Sequence, residues 1–328
     1  MKLGILDQSI IHHNQTSQQA IEETVKTIKL AERLGYHRFW VSEHHNSLII
    51  AGTSPEILIA NLATQTTHIR IGSGGVMLPN HSEFKVAENF RMLETLYPGR
   101  IDLGIGRAPG GDRVTASILN PSNQFLEKDY LRQLEYLQHF FNDTAGTKQG
   151  RIIAMPQSLN APEQWMLSSS GGSSSNAAKF GMGLGVAKFI NGNVNPSIVE
   201  TYKREFIPSE QFEKPKVILA VMVLCGETQE IANQMLKYVN FVFLQMAKGN
   251  FNMMYDINTV MNYEFTGIDM QIIRNNSGRI VSGTKDEVKK QLDDLVDAFE
   301  ADEIMTTNMA GQLEYRLKSF ELLAEIYN

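Results

Sequence analysis

Short apolar runs alternate along the chain with longer stretches in which apolar positions recur every three or four residues. The run at 2–6 is followed by Ile21, Val25, Ile28, Ala31 and Leu34 at helical spacing, a pattern that stops at Gly35. The unit then repeats. Residues 38–42 read as a strand, and Ser54-Pro55 opens a helix to about 65. Residues 69–72 read as the third strand, followed by a helix at 85–96 that Pro98-Gly99 ends. A fourth strand at 101–105 and a helix over about 123–141 complete four strand-helix units. The second half is less regular. Strands are predicted at 164–168, 184–187 and 217–224, with helices at 173–180, 196–205 and 228–245. A helix at 285–298, a strand at 303–307 and a helix at 312–326 close the chain. Eight strands, each followed by a helix, are the arithmetic of a (β/α)8 barrel, whereas a doubly wound sheet needs fewer strands and a reversal of strand order. Residues 245–283 break the rhythm: rich in Asn and Met, they read as a mobile insertion before the last unit of a single domain spanning 1–328.

Composition narrows the class. With 42% apolar and 20% charged residues the chain is an ordinary globular one, which excludes disorder and a coiled-coil rod. Thirty basic against 36 acidic residues give a net charge of −6, without the basic excess that nucleic acid requires. A single cysteine, Cys225, rules out an internal disulfide framework and suits a reducing cytoplasm. No apolar stretch approaches the length of a membrane span, so the expectation is a soluble cytoplasmic protein with no membrane partner.

In a barrel of this kind the reactive groups gather at the C-terminal ends of the strands. Those ends carry Asp7-Gln8-Ser9, Glu43-His44-His45-Asn46, Gly74-Gly75, Gly106-Arg107 and the run from Ser168 to Ser175. Adjacent strand residues point in opposite directions, so His44 and His45 are a poor metal pair, and no HExxH spacing exists; no metal is expected. A proton-handling role for His44 competes with a plain capping or surface role. Arg107 precedes Ala108-Pro109-Gly110-Gly111, where a guanidinium fork beside an open loop suits a phosphate or makes a rim salt bridge. The run 168–175, before a helix, offers hydroxyls and main-chain N–H groups to the same anion, or is a flexible connection. Gly74-Gly75 either admits a flat ligand close to the backbone or marks a bulge. The third glycine of a dinucleotide fingerprint is missing after Gly104-x-Gly106, as are a Walker lysine and a Gly-x-Ser-x-Gly elbow. All eight histidines lie at or before His139, which leaves Cys225 without a base.

Three blocks together carry a family likeness: Arg38-Phe-Trp-Val-Ser-Glu-His-His-Asn46, Gly72-Ser-Gly-Gly-Val-Met-Leu-Pro-Asn-His81 and Pro98-Gly-Arg-Ile-Asp-Leu-Gly-Ile-Gly-Arg-Ala-Pro-Gly110. In their order and content the chain resembles the bacterial luciferase-like flavin-dependent monooxygenases, especially the shorter luciferase-like oxidoreductases. The resemblance implies a luciferase-like TIM barrel that binds FMN at its mouth, as a homodimer. It implies reduced flavin taken from a separate flavin reductase and reacted with O2 to a flavin hydroperoxide, which oxidises a small organic substrate. On this likeness His44 is catalytic, Glu43 belongs to the cofactor site, and Arg107 with Ser169, Ser170 and Ser173 holds the phosphate. Gly74-Gly75 falls where the family has a non-prolyl cis peptide under the flavin ring. Two positions depart from the luciferases: Gly106 replaces a reactive cysteine, and Lys188 replaces a tryptophan near the flavin. Light emission from a long-chain aldehyde is therefore not expected. Two alternatives accompany this reading: a deazaflavin-dependent hydride-transfer oxidoreductase, and a flavin-binding protein without turnover.

Overall fold

Strands β1 (Lys2–Asp7), β2 (Arg38–Val41), β3 (Arg70–Met77) and β4 (Ile101–Gly106) lie side by side and parallel, each nearly or wholly buried. Burial on both faces explains why they read as continuous apolar runs rather than alternating ones. A small hairpin, β5 (Gly146–Thr147) and β6 (Gly150–Arg151), stands apart from them. β7 (Glu163–Ser168), β8 (Gly183–Ala187) and β9 (Val217–Cys225) continue the parallel sheet. β10 (Ile280–Gly283) precedes β11 (Glu303–Thr307), and β11 pairs with both β9 and β1. Because β8 also pairs with β9, eight strands close into a barrel. The computed structural model describes residues 1–327.

The helices cover this barrel in chain order: α1 (Ser17–Arg33), α2 (Pro55–Thr64), α3 (Glu83–Leu96), α4 (Arg113–Leu119), α5 (Glu127–Phe141) and α6 (Ser174–Lys179). α7 (Ser197–Glu205), α8 (Gln229–Ala247), α9 (Ile257–Met261), α10 (Gly267–Asn276), α11 (Lys285–Phe299) and α12 (Leu313–Tyr327) follow. Local chemistry sets several ends. Thr16 and Gln19 form a capping box at the start of α1, Thr284 and Glu287 do so for α11, and α11 stops at Glu300 in the left-handed region, φ 44°. None of the described helices is long and apolar enough to cross a membrane.

The barrel interior is closed at its N-terminal end by a buried charge network. Arg38 donates to Asp102 at 2.6 Å and to Glu303 at 2.7 Å, and its guanidinium lies 4.7 Å from the centre of the Trp165 ring. Trp40 Nε1 donates to the same Asp102 carboxylate at 2.8 Å. Removing one partner would leave an unpaired buried charge, at a cost of about 3–5 kcal/mol. Above this plug Leu6, Trp40, Trp165, Ile218 and Met305 pack together, and all of them except Trp165 line the floor of the mouth.

Several expectations from the pattern are corrected. The helix expected over 123–141 begins at Glu127, and α4 had not been foreseen, because its only buried residue is Ala116 while Val114 and Ile118 are 70% and 72% exposed. β3 runs on to Met77 through the glycines, and β10 pairs only with the last four residues of β9. The segment 245–283 is built from the end of α8, α9, α10 and β10, and Val260 packs it on Tyr238, Phe241 and Val242 of α8.

Candidate active site

The strand ends open into one cavity of about 970 Å³, lined by residues from β1, β2, β3, β4, β7, β8, β9 and β11 or the loops after them. Glu43, His44, Gly74, Arg107, Ser169, Ser170 and Ser173 all reach its wall. Gly75 does not. It lies buried behind Gly74, where an added Cβ would come within 2.6 Å of the Gly104 carbonyl oxygen.

The loop after β2 is fixed by its main chain: His44 N–H donates to Gly52 O at 3.0 Å and His45 N–H to Gly110 O at 2.9 Å. The second contact explains the glycine, since a Cβ on Gly110 (φ 66°) would meet Glu43 O at 2.9 Å. The Glu43 side chain is wholly buried and its carboxylate is taken up by protein groups. Met77 N–H donates at 2.8 Å and Asn80 Nδ2 at 3.1 Å, while His45 Nε2 and His81 Nε2 lie 2.8 Å and 2.9 Å away. Burial by itself would raise this carboxyl, but the bonds from His45 and His81 dominate together and hold it at about 2. Glu43 thus braces the loops after β2 and β3 from behind, with its carboxylate spent on protein donors.

His44 faces the cavity with Nδ1 3.0 Å from Ser42 Oγ, and Nε2 has no hydrogen-bond partner among the described residues. Burial lowers its pKa below 6.5, and the nearby Glu43 charge only partly opposes this. The ring is therefore neutral near pH 7 and offers an acceptor or donor nitrogen to whatever lies beside it.

The peptide bond between Gly74 and Gly75 is cis. The β3–β4 register shifts between Gly74 and Val76, and Gly74 lines the cavity there. A Cβ there would meet Leu6 Cδ1 at 2.8 Å and the Trp40 ring at 3.1 Å, so no side chain fits against the floor residues at this point. Arg107, at the end of β4, is exposed and has no ion-pair or hydrogen-bond partner among the described residues. At the end of the neighbouring strand β7 the serine loop, which lines the same cavity, is folded on itself: Ser168 Oγ accepts from Gly171 N–H at 3.1 Å and Ser174 Oγ donates to Gly171 O at 2.7 Å. Asn191 Nδ2 ties it to the loop after β8 by donating to Ser169 O at 2.9 Å.

Some residues depart from the sequence reading. Asp7 turns inward, accepting from Ser9 N–H and Thr24 Oγ1, and Gln8 alone of its group lines the cavity. Lys188 points away from the cavity: Nζ donates to Gly192 O at 2.6 Å and lies 5.9 Å from the Phe299 ring, while its neighbours Ala187, Phe189 and Ile190 line the wall. No residue of 245–283 lines it. The wall also contains Trp40, Phe125, Phe189, Ile190 and Arg113, which the sequence reading did not single out. Arg113 could have been found, since it follows Arg107 in the same glycine-rich loop; the aromatic lining has no signal apart from its apolar surroundings.

The arrangement is that of a cavity with an unpaired guanidinium and a hydroxyl-rich loop at one side and a neutral imidazole at another. The sequence model of the luciferase-like monooxygenases matches residues 1–300. The uncharacterised protein YwcH of Bacillus subtilis is 41% identical, over 100% of this chain and 99% of the relative. The N-acetyl-S-alkylcysteine monooxygenase of the same organism is 35% identical, over 99% of this chain and 98% of the relative. Among solved structures, apo-MsnO8 superposes with a TM-score of 0.92 at 33% identity, covering 99% of this chain and 98% of that one.

Proposed function

The chain belongs to the luciferase-like monooxygenase family, and from that premise we propose that it is an FMN-dependent monooxygenase using reduced flavin and O2 to oxidise a small organic substrate. The observation that carries the cofactor assignment is Arg107: an exposed guanidinium with no ion-pair or hydrogen-bond partner among the described residues, on the same cavity wall as a loop of serines that follows the neighbouring strand β7. A guanidinium fork with several hydroxyls is the donor set a phosphate monoester takes, and the glycine floor at Gly74 leaves room for a flat ring. Bound reduced FMN would supply the electrons that activate O2 for transfer of one oxygen atom.

The chain's own residues do the rest. Arg107 with Ser169, Ser170 and Ser173 anchors the phosphate, and Gly74, backed by Gly75, supports the ring. His44, neutral at working pH, accepts or returns a proton at Nε2, the nitrogen left open by the Ser42 contact. Glu43 positions His44 by locking the adjoining main chain and fixing the loops after β2 and β3. Leu6, Trp40, Ile218 and Met305 keep the floor apolar and dry. Membership of this family supports delivery of electrons by a separate flavin reductase. Exposed Ile57 (70%), Met92 (49%) and Leu96 (57%) on α2 and α3 support a homodimer packed through those helices.

The test is an anaerobic titration with dithionite-reduced FMN, followed by rapid mixing with oxygenated buffer. Saturable binding and reoxidation slower than that of free FMN are expected. Failure to bind, or reoxidation at the free rate, overturns the proposal; preferential binding of a deazaflavin would move the reading to hydride transfer.

A further inference from the structure

The cavity lining carries a second guanidinium besides the one assigned to the phosphate. The lining contains two arginines, Arg107 and Arg113, and one acid, Glu43. Glu43 is fully buried and its carboxylate is consumed by protein donors, so it cannot neutralise a guanidinium in the cavity. Arg113, like Arg107, has no ion-pair or hydrogen-bond partner among the described residues, although the chain as a whole has a net charge of −6.

The second arginine lies on a different side of the mouth from the serine loop. It opens α4, and that helix is pinned to the loops after β2 and β3: Asn46 Nδ2 donates to Asp112 Oδ2 at 2.9 Å, and Asn120 Nδ2 donates to Pro79 O at 3.0 Å. The serine loop follows β7 and is tied toward β8. Around the barrel the order is β2, β3, β4, β7, β8, so Arg107 at the end of β4 stands between the two. Arg113 is thus on the His44 side of the cavity, and Ala116 and Ser117 of the same helix line the wall beside it.

We infer that Arg113 binds a carboxylate of the substrate, which makes the substrate class small carboxylic acids with an apolar body. The planar guanidinium donates to two carboxylate oxygens at once, and the apolar body finds Phe125, Leu126, Phe189 and Ile190 on the same lining. The inference rests on the reading that assigns Arg107 to the phosphate, which leaves Arg113 for a second anion.

The experiment uses 4-phenylbutyrate and its uncharged analogue 4-phenylbutanamide as probes, titrated into the full-length protein with and without FMN. Quenching of Trp40, a wall residue and one of two tryptophans, reports binding without turnover. The acid is expected to bind about tenfold more tightly than the amide. Arg113→Ala should abolish that preference by weakening the acid alone, Arg113→Lys should keep part of it, and FMN affinity should stay within about twofold in both variants. Equal or absent binding of the two probes to the wild type overturns the inference, as does an unchanged preference in Arg113→Ala. A loss of FMN affinity in Arg113→Ala as large as in Arg107→Ala also overturns it, by placing both arginines on the phosphate. If FMN does not bind but the acid preference exists and vanishes in Arg113→Ala, the carboxylate site stands and the flavin reading falls.

Discussion

His81 Nε2 lies 2.9 Å and 3.0 Å from the two carboxylate oxygens of Glu43, joining the loop after β3 to the loop after β2 behind the cavity wall. Each partner moves the other's protonation. Burial pulls the His81 ring down, but the Glu43 hydrogen bond and charge outweigh it and raise the imidazole above 6.5, while Glu43 is held at about 2.

The signs of these two shifts give a pH window. A raised histidine contributes stability that is full below 6.5 and disappears as pH climbs through its folded value. A depressed carboxyl contributes above its ordinary 4.5 and loses that contribution as pH falls toward about 2. The pair therefore contributes most between 4.5 and 6.5. Glu43→Gln is expected to cost about 3 kcal/mol in that window, since it strands buried donors that the carboxylate satisfied. Urea unfolding of both proteins from pH 4 to 8 checks this: the wild-type advantage should shrink toward either end, and a pH-independent difference would refute the coupling.

His44 is expected to behave in the opposite sense. Its pKa is lowered, chiefly by burial, so kcat should be level above 6.5 and decline only at more acid pH as the ring takes up a proton. His44→Ala should lower kcat by roughly 10²–10⁴ and erase the acid limb while FMN binding is kept. A variant that loses FMN affinity in proportion to activity would make His44 a binding residue instead.

Much of this was legible in the chain, for a physical reason. Strands buried on both faces leave uninterrupted apolar runs, and their C-terminal ends must converge, so the sequence alone groups His44, Gly74, Arg107 and the serine loop, which line one cavity. What was illegible depends on which way a side chain turns. The rule placed Glu43 at the mouth, but nothing local shows that its carboxylate is directed to His45, His81 and Asn80. α4 hid because Val114 and Ile118 face outward, so its apolar spacing carries no information about the core. The fold of 245–283 was hidden in the same way. Its anchor, Val260, packs on a single neighbouring helix, so no long periodicity was required of the sequence around it.

Arg107 gives a cleaner test of the phosphate site than any loss of activity. With no ion-pair or hydrogen-bond partner among the described residues, its removal breaks no such contact, and the effect should fall on the phosphate alone. Arg107→Ala is expected to weaken FMN by roughly 10- to 100-fold, the value of a charged hydrogen bond, and to leave riboflavin within about twofold. Fluorescence titration of both ligands against both proteins measures it. Equal weakening would show that the arginine shapes the ring site or the loop rather than the phosphate anchor.

The segment between α8 and α9 supplies the last prediction. It contributes nothing to the cavity wall here, yet Asn252 Oδ1 accepts from Leu48 N–H at 3.3 Å, in the loop just after His44. Around that contact Leu48, Phe251 and Met253 are 67%, 61% and 52% exposed, an apolar group that movement of the segment onto another surface would bury. If it closes over the mouth when reduced flavin is bound, chymotrypsin should cut after Phe251 several-fold more slowly in the presence of saturating reduced FMN. Asn252→Ala, which removes the tether, should speed cutting in the absence of flavin and blunt the protection. Because flavin binding is measured separately, cleavage at an unchanged rate in a flavin-saturated sample would mean the segment is a fixed buttress of α8 and not a lid.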